Sequence, residues 1–407
     1  MNCRHCRKVL QHTFINLGFA PPSNAYLCEK DLASPEKYLP LKVKICDNCW
    51  LVQTEDYADA KSLFTAKYSY FSSTSSSWLL HAKRYTKKII QDLNLNTSSH
   101  VIEIACNDGY LLKNFIEAGI PCLGIEPTDS TADAAEKLNI PVLRKFFTES
   151  LGKKLFSEGR QADLIVGNNV YAHVPKINDF TKGLKAALKP DGVITLEFPH
   201  LMRLTELKQF DTIYHEHFSY LSLFTVRKIF LKVGLRIFRV KELNTHGGSL
   251  RIYGCHYNNS RKTEYSVDEL LKKESKQGLK KLETYLNFQS CADMIKDNFI
   301  SFLIQKKRNG KKVVAYGAAA KGNTLLNYAG IKPDLLSFVC DAQKVKQGLY
   351  LPGSHIPVLS PDHLRDAKPD YVVIFPWNIS EEVIQQNKFI REHGGKFVTF
   401  VPSVRIR

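Results

Sequence analysis

The residues best suited to proton transfer lie within 209–220, where Tyr214, His215, Glu216 and His217 follow one another among hydrophobic residues. A neutral imidazole beside a carboxylate can be held in one tautomer with a pKa near neutrality, and a phenol can donate to a developing oxyanion. The alternatives are a polar turn with satisfied hydrogen bonds or a zinc patch. If the run is extended, His215 and His217 share one face and Glu216 the other, so one substrate could not contact them all.

Four cysteines form two Cys-x-x-Cys pairs: Cys3, Cys6, Cys46 and Cys49. Two such pairs supply four thiolates to one tetrahedral ion and leave no open position, which predicts a structural zinc site. The gap between the pairs exceeds the commonest spacing of about 15–20 residues, and His5 and Cys28 are spare candidate ligands. Residues 1–70 contain too few hydrophobic residues to form a stable core unaided, so bound zinc would stabilise their fold.

A strand, a loop and a helix are expected over 101–118, the arrangement that binds nucleotide-like ligands in doubly wound sheets. Neither a Gly-x-Gly-x-x-Gly pattern nor a Walker lysine is present, and Gly109 alone falls where the backbone would approach a ligand. Glu103 and Glu126 are expected to end successive strands, and the second carboxylate could accept both ribose hydroxyls. This pattern favours S-adenosylmethionine (SAM), the alternative being coincidental carboxylates. The predicted cofactor-binding residues are Glu103, Cys106, Asn107, Asp108, Gly109, Glu126, Pro127, Asn168, Asn169 and Tyr171.

Short apolar runs alternate with helical stretches from His100 onward, and a second such series begins near Lys311. This alternation predicts parallel sheets covered by helices. The expected fold class is α/β, with a Rossmann-like methyltransferase domain, a small N-terminal zinc-binding module and a second C-terminal α/β domain. The predicted boundaries are 1–70, 71–260 and 261–407, with a long charged helical stretch over 266–306 as the connector.

The second series opens with a loop of small residues and Lys321, which could cradle a diphosphate at a helix N-terminus or allow close helix–strand packing. The order Lys-Gly excludes a P-loop. A Gly-Gly-Ser run with Arg251 is another candidate phosphate or sugar contact. The predicted substrate-binding residues are His246, Gly247, Gly248, Ser249, Arg251, Lys321, Gly322 and Asn323.

Composition narrows the class of protein. The chain has 407 residues, 44% hydrophobic and 24% charged, with no apolar signal core at its start and no run long enough to span a bilayer. We therefore expect a cytoplasmic protein, a monomer that binds no membrane. The net charge of +17 is spread over helix faces. This charge is compatible with binding to nucleic acid, a membrane surface or a phosphorylated substrate. The lack of an aromatic stacking platform argues against nucleic acid, and a diphosphate on the substrate would account for the charge.

Several motifs together resemble one family over nearly the whole chain. They are the two Cys-x-x-Cys pairs, Glu-Ile-Ala-Cys-Asn-Asp-Gly-Tyr-Leu-Leu, Asn-Asn-Val-Tyr-Ala-His-Val-Pro, Thr-Ile-Tyr-His-Glu-His-Phe-Ser-Tyr, Thr-His-Gly-Gly-Ser-Leu-Arg and Tyr-Gly-Ala-Ala-Ala-Lys-Gly-Asn-Thr. In this order they look like the SAM-dependent sugar C-methyltransferases, which act at carbon 3 of nucleotide-linked 4-keto deoxysugars. One departure is Cys106, where such loops usually carry Gly or Ser.

The resemblance implies a base that removes the C3 proton and an enolate that attacks the methyl group. It places His217 as the base, with Tyr214 and Glu216 beside it and Tyr68 and His173 as further active-site contacts. Methyl transfer needs no metal, because the sulfonium is already an activated electrophile. The alternatives are O- or N-methylation of a related metabolite and a non-catalytic zinc protein that binds nucleic acid or another partner.

Overall fold

The structure is a computed structural model that describes residues 1–57 and 71–407; the predicted site residue Tyr68 lies outside them. The strands are β1 (His12–Ala20), β2 (Leu39–Ile45), β3 (Val52–Thr54), β4 (Val101–Ile104), β5 (Cys122–Ile125), β6 (Val142–Leu143), β7 (Ala162–Asn168), β8 (Leu188–Pro199), β9 (Ser219–Tyr220), β10 (Leu235–Leu243), β11 (Ser249–His256), β12 (Val313–Tyr316), β13 (Val339–Cys340), β14 (Val358–Leu359), β15 (Tyr371–Ile374), β16 (Lys396–Thr399) and β17 (Arg405–Ile406).

The helices pack mainly on the faces of these sheets. They are α1 (Ser76–Leu93), α2 (Lys113–Glu117), α3 (Asp129–Glu136), α4 (Glu149–Ser157), α5 (Ile177–Ala187), α6 (Leu201–Glu206), α7 (Leu223–Lys232), α8 (Tyr265–Lys276), α9 (Leu282–Leu286), α10 (Phe288–Arg308), α11 (Ala320–Ala329), α12 (His363–Ala367) and α13 (Ser380–Gln386).

The central sheet has seven strands in the order β6-β5-β4-β7-β8-β11-β10. The pairs from β6 to β8 are parallel, and β11 is antiparallel to both of its neighbours. Every residue of β4 and β5 is buried, as expected for parallel strands covered on both faces. The predicted Rossmann-like domain is confirmed.

The N-terminal sheet has the order β1-β2-β3-β9 and is antiparallel throughout. Its fourth strand does not belong to the N-terminal segment, since Gln53 pairs with Ser219 directly after the Tyr-His-Glu-His run. On its other side Phe14 stacks on Phe288 of α10, with ring centroids 4.6 Å apart. The small module is therefore packed against both larger domains.

The C-terminal sheet has the order β14-β13-β12-β15-β16-β17, parallel except for the last strand, and it confirms the predicted second α/β domain. The predicted connector is divided into α8, α9 and α10. Val267 and Leu270 of α8 lie in the same hydrophobic core as the central strands. Among the helices of the described residues, none has the length and apolar character needed to span a bilayer.

Candidate active site

A cavity of about 1520 Å³ lies between the central and C-terminal domains. Its wall includes the loops that follow β4, β5 and β7 and those that follow β12 and β13, the edge where open parallel sheets bind ligands. The predicted site residues that line it are Asn107, Glu126, Pro127, Asn168, Asn169, His173, Tyr214, Glu216, His217, His246 and Lys321.

The cofactor end of the cavity is organised by Glu126, which follows β5. Its Oε2 accepts the backbone N–H of Asn107 at 3.0 Å and its Oε1 accepts that of Thr128 at 2.9 Å. Burial raises the pKa of this carboxyl. Asn168 and Asn169 line the same end, and their Oδ1 atoms are buried without a hydrogen-bond partner in the described part of the chain. A ribose and an amino group of SAM would satisfy such acceptors.

Other residues predicted to bind the cofactor lie behind the wall, which corrects the prediction of direct contact for them. Cys106 fills the space left by Gly124, where a Cβ would be 2.5 Å from the sulfur. Gly109 has a positive φ of 78°, and a Cβ there would be 2.4 Å from Ile140, so packing requires the glycine. The hydroxyl of Tyr171 pairs with Thr181 at 2.8 Å within the core.

Glu103 and Asp108 also lie outside the wall of the cavity. The pKa of Glu103 is raised well above its usual value by burial and by the neighbouring carboxylates of Asp108 and Glu126. Asp108 accepts the backbone N–H of Ser73 at 2.9 Å and so holds the turn before α1. Neither side chain is among those that line the cavity, and Asp108 holds the loop.

The Tyr-His-Glu-His run forms a turn, not the extended segment that the alternation argument assumed. The backbone N–H of His217 donates to the carbonyl of Tyr214 at 3.0 Å, so these two side chains lie side by side. His215 points to the N-terminal module, where its Nε2 lies 3.2 Å from the carbonyl of Pro40. Tyr214, Glu216 and His217 therefore line the cavity together.

The tautomer of His217 follows from its partners. Its Nδ1 lies 2.8 Å from the carbonyl of Thr212, which can only accept, so Nδ1 carries the proton. Its Nε2 is then an acceptor for the hydroxyl of Tyr214 at 2.9 Å. Burial lowers the pKa of His217 well below its ordinary value, with the nearby His173 as the next cause. The ring is a neutral base with its lone pair directed toward a phenol.

Glu216 is held by a residue that sequence reasoning missed. Asn24 of the N-terminal module donates its Nδ2 to Oε1 at 2.8 Å and to Oε2 at 2.7 Å. Burial raises the pKa of Glu216 to about 7, and the Asn24 bond opposes this rise. Asn24 lies 192 positions earlier in the chain and carried no local signal.

The opposite wall carries Lys321 and His246. The Lys321 ammonium donates to Asn378 at 2.8 Å and lies 4.3 Å from the centre of the Trp377 ring. Burial lowers the pKa of Lys321 to about 8, opposed by the charge of Asp211. Burial, followed by the charge of Lys321, lowers the pKa of His246 to about 4.

The geometry around Arg251 does not support the predicted phosphate or sugar contact. Its guanidinium is buried, forms an ion pair with Glu197 and lies 4.1 Å from the centre of the Tyr85 ring. Burial alone would raise the pKa of Glu197, but a His81 hydrogen bond and the charge of Arg251 lower it to about 2. The charge of Arg251 is thus neutralised inside the protein.

The glycines near Arg251 and Lys321 also serve packing. A Cβ on Gly247 would be 2.3 Å from Trp377, and one on Gly248 would be 2.6 Å from Arg203. A Cβ on Gly322 would be 2.7 Å from Phe375, which is the close helix–strand packing considered above. These residues do not line the cavity, which corrects their predicted substrate contacts.

Two further predicted substrate residues hold the backbone. The hydroxyl of Ser249 donates to the carbonyl of Thr245 at 3.0 Å. The amide of Asn323 donates to the carbonyl of Ser23 at 2.6 Å and so ties α11 to the N-terminal module. Both side chains are buried outside the cavity, so this prediction is corrected as well.

The four predicted metal ligands come together within the N-terminal module. The sulfurs of Cys3, Cys6, Cys46 and Cys49 lie within 4.8 Å of one another. Two of the separations are 3.5 Å, close to the roughly 3.8 Å edge of a tetrahedron with metal–sulfur bonds of about 2.3 Å. The donor set fits a closed tetrahedral ion.

The strand order, the acidic residue after the second central strand and the adjoining cavity define a Rossmann-like methyltransferase with a second α/β domain. Three family models match the chain: "Putative zinc binding domain" over 3–64, "Methyltransferase domain" over 78–240 and "C-methyltransferase C-terminal domain" over 244–402. The chain is 31% identical over 404 residues to C-methyltransferase NovU of Streptomyces niveus, covering 99% of this chain and 96% of that protein. The chain therefore belongs to the SAM-dependent C-methyltransferases.

Solved structures resemble part of the chain. Magnesium protoporphyrin IX methyltransferase of Synechocystis PCC 6803, with bound SAH, is 17% identical with a TM-score of 0.35, over 44% of this chain and 82% of that one. The PH0226 protein of Pyrococcus horikoshii OT3 is 13% identical with a TM-score of 0.37, over 46% of this chain and 95% of that one.

Proposed function

We propose that this methyltransferase transfers a methyl group from SAM to carbon 3 of a nucleotide-linked 4-keto deoxysugar through an enolate. The observation that carries the proposal is the buried His217–Tyr214 pair. It lies in a cavity that both α/β domains line with loops following parallel strands, where such sheets bind nucleotides. A neutral imidazole can remove a proton beside a carbonyl, whereas an alcohol or amine nucleophile needs no such carbon acid chemistry.

The second nucleotide-type site is centred on Asp341, which follows β13. Its Oδ2 accepts the backbone N–H of Ala318 at 2.7 Å and its Oδ1 accepts that of Gln343 at 2.8 Å. Glu126 accepts an equivalent pair of hydrogen bonds in the central domain. One comes from the amide of Asn107, in the loop that follows β4, and the other from the amide of Thr128, two positions after Glu126. This parallel supports a ribose beside Asp341, with the nucleotide in the C-terminal domain.

The phosphates of that nucleotide would lie next to the start of α11. Ala319 and Ala320 line the cavity at the N-terminal end of this helix, adjacent to Asp341. The positive end of the helix and its unpaired N–H groups favour a diphosphate there. From this position the sugar would extend toward Tyr214 and His217 on the facing wall.

Catalysis would begin when His217 Nε2 accepts the C3 proton. The Nδ1 bond to Thr212 fixes the ring and stabilises the imidazolium that forms. SAM supplies a methyl group on a positively charged sulfur. The Tyr214 hydroxyl, which contacts His217, can rotate to contact the sugar instead. Asn24 holds the Glu216 carboxyl at the wall of the same cavity.

The four-cysteine cluster would bind zinc as a structural ion. A closed set of four thiolates leaves no position for a substrate or a water. Its place in the mechanism is indirect, through the sheet in which β3 pairs with β9.

The test is exchange of the sugar C3 proton with deuterated solvent, followed by mass spectrometry across a panel of nucleotide 4-keto sugars. We expect exchange without SAM, a mass increase of one methyl group with it, and loss of both in His217→Ala. His215→Ala is the matched control, because that ring faces the N-terminal module. Methylation without detectable exchange, on oxygen or nitrogen, would show that the enolate proposal is wrong.

A further inference from the structure

Lys321 lies on the cavity wall, and its helix contacts the turn that carries the proposed base. It is the second residue of α11, and Thr324, one turn later on the same face, donates its hydroxyl to the carbonyl of Ile213 at 2.8 Å. Ile213 immediately precedes Tyr214. The helix face that carries Lys321 therefore rests against the start of the catalytic turn.

The ammonium is held from the other side by the loop after β15. Asn378 accepts a hydrogen bond from Nζ, and the Trp377 ring lies beneath it at 4.3 Å. Trp377 is itself fixed, since its Nε1 donates to Asp211 Oδ2 at 2.6 Å. Asn378 is the one hydrogen-bond acceptor recorded for this ammonium among the described residues. An ammonium has three donors, so two remain for a ligand.

The charge of Lys321 lies close to the proposed reacting region. It is among the causes that lower the pKa values of His217 and His246, and Asp211 is the acidic group that offsets it. A cation close to a basic imidazole hinders protonation of that imidazole. Such an arrangement is useful where a negative charge develops on the substrate at the same moment.

We infer that Lys321 is a catalytic residue whose ammonium donates a hydrogen bond to the C4 carbonyl oxygen of the sugar and stabilises the enolate. The inference rests on the proposed function and names the group that receives its negative charge. It replaces the sequence-based expectation that Lys321 binds the diphosphate.

The electrons balance without a further reactant. His217 takes the C3 proton, and the electron pair of the C–H bond forms the C3–C4 double bond while the carbonyl pair moves to oxygen beside Lys321. The pair then returns, carbon 3 bonds to the methyl carbon, and the sulfur–carbon bond breaks with its electrons on sulfur. The ketone is restored, S-adenosylhomocysteine (SAH) leaves, and His217 releases its proton to solvent.

Enolate stabilisation and diphosphate binding predict different effects of removing the Lys321 ammonium on the reaction rate and on nucleotide affinity. In Lys321→Met the C3 exchange rate and kcat should fall on the order of 10²–10³-fold, as for loss of an oxyanion donor. The affinities for SAH and for the five common nucleoside diphosphates should stay within about threefold, because the proposed diphosphate contacts are backbone N–H groups at the start of α11 and not the Lys321 ammonium. Lys321→Arg keeps the charge and should recover part of the exchange rate.

Matched variants keep the result interpretable. Lys388→Met removes an exposed lysine of the same domain that is not among the residues lining the cavity, and it should leave the exchange rate within about twofold, so loss of one positive charge alone is excluded. If Lys321→Met fails to fold, Lys321→Gln is measured with SAH affinity as the folding check. A rise in KM and in the nucleoside diphosphate Kd at unchanged exchange would overturn the inference in favour of the phosphate role. Absence of exchange in the wild-type protein would instead overturn the proposed function.

Discussion

At the scale of single residues, the site is defined by buried groups whose pKa values are displaced in opposite directions. Burial raises the pKa of Glu216 to about 7 and lowers the pKa of His173 to about 4. The Asn24 hydrogen bonds favour the ionised form of Glu216, whereas burial favours its protonated form and favours the neutral form of the imidazoles. Pairs displaced in this way are typical of acid–base sites.

The pKa of Glu216 has a consequence for stability. A carboxyl whose folded-state pKa lies above its ordinary 4.5 binds its proton more tightly when folded, so the free energy of unfolding falls as pH rises through that window. We expect wild type to lose about 3 kcal/mol relative to Glu216→Gln between pH 4.5 and 7. Urea unfolding of both proteins at a series of pH values measures this difference.

Asn24→Ala serves as the companion variant. Its two hydrogen bonds to the carboxylate are lost, so the pKa of Glu216 should rise further and the fall in stability should continue to higher pH. A difference between wild type and Glu216→Gln that does not vary with pH would show that Glu216 does not titrate in this range.

At the scale of elements, the cavity depends on glycines that let side chains approach the backbone. The His246–Gly248 turn lies against Trp377, which orients Lys321 and Asp211. The Gly-Gly-Ser run that we predicted to contact phosphate or sugar thus allows close packing between the two α/β domains. This run would affect a ligand through the position of the Trp377 ring, which contacts Lys321.

Gly247→Ala tests that packing. The new Cβ would be 2.3 Å from Trp377, at a position with a φ of +85°, so the ring must move. We expect a loss of about 1 kcal/mol from backbone strain and a fall in kcat on the order of 10²-fold from displacement of Lys321. Rate assays and thermal melts measure the two effects.

Gly330→Ala is the control for strain alone. Its φ is +65°, and a Cβ there meets no atom of the described residues within 4 Å. It should lose similar stability and keep its kcat. Equal kcat values for the two variants would argue against a role of Trp377 in holding the site.

At the scale of the whole molecule, the N-terminal module completes the active site. Gln53 and Val52 pair with β9, and Arg4, next to the ligand Cys3, donates to the carbonyl of Phe218 at 2.7 Å. The turn that carries the proposed base lies just before β9 of this sheet. Order in the cysteine cluster is therefore coupled to the position of His217.

Removal of the metal should separate binding from catalysis. With a chelator we expect methyl transfer to fall by at least about tenfold, because the turn loses its supporting strand, while the central domain still binds SAH. Metal content, SAH calorimetry and the rate assay are compared before and after zinc is restored. Full activity of metal-free protein would contradict this coupling.

The sequence by itself determined the features that depend on residues close together in the chain. Buried apolar runs alternating with helices specified both α/β domains, two Cys-x-x-Cys pairs specified the cluster of four sulfurs, and the Tyr-His-Glu-His run located a turn that lines the cavity. Each of these signals lies within a few residues of chain, where periodicity, turn chemistry and ligand spacing act.

Only the tertiary structure decided which of these groups face the ligand. Asn24 reaches Glu216 across 192 positions, and Arg251 forms a buried ion pair with Glu197. The turn, rather than an extended strand, brought Tyr214 and His217 together. Such partners depend on how distant strands and helices pack, and the free energy of that packing leaves no pattern in the neighbouring sequence.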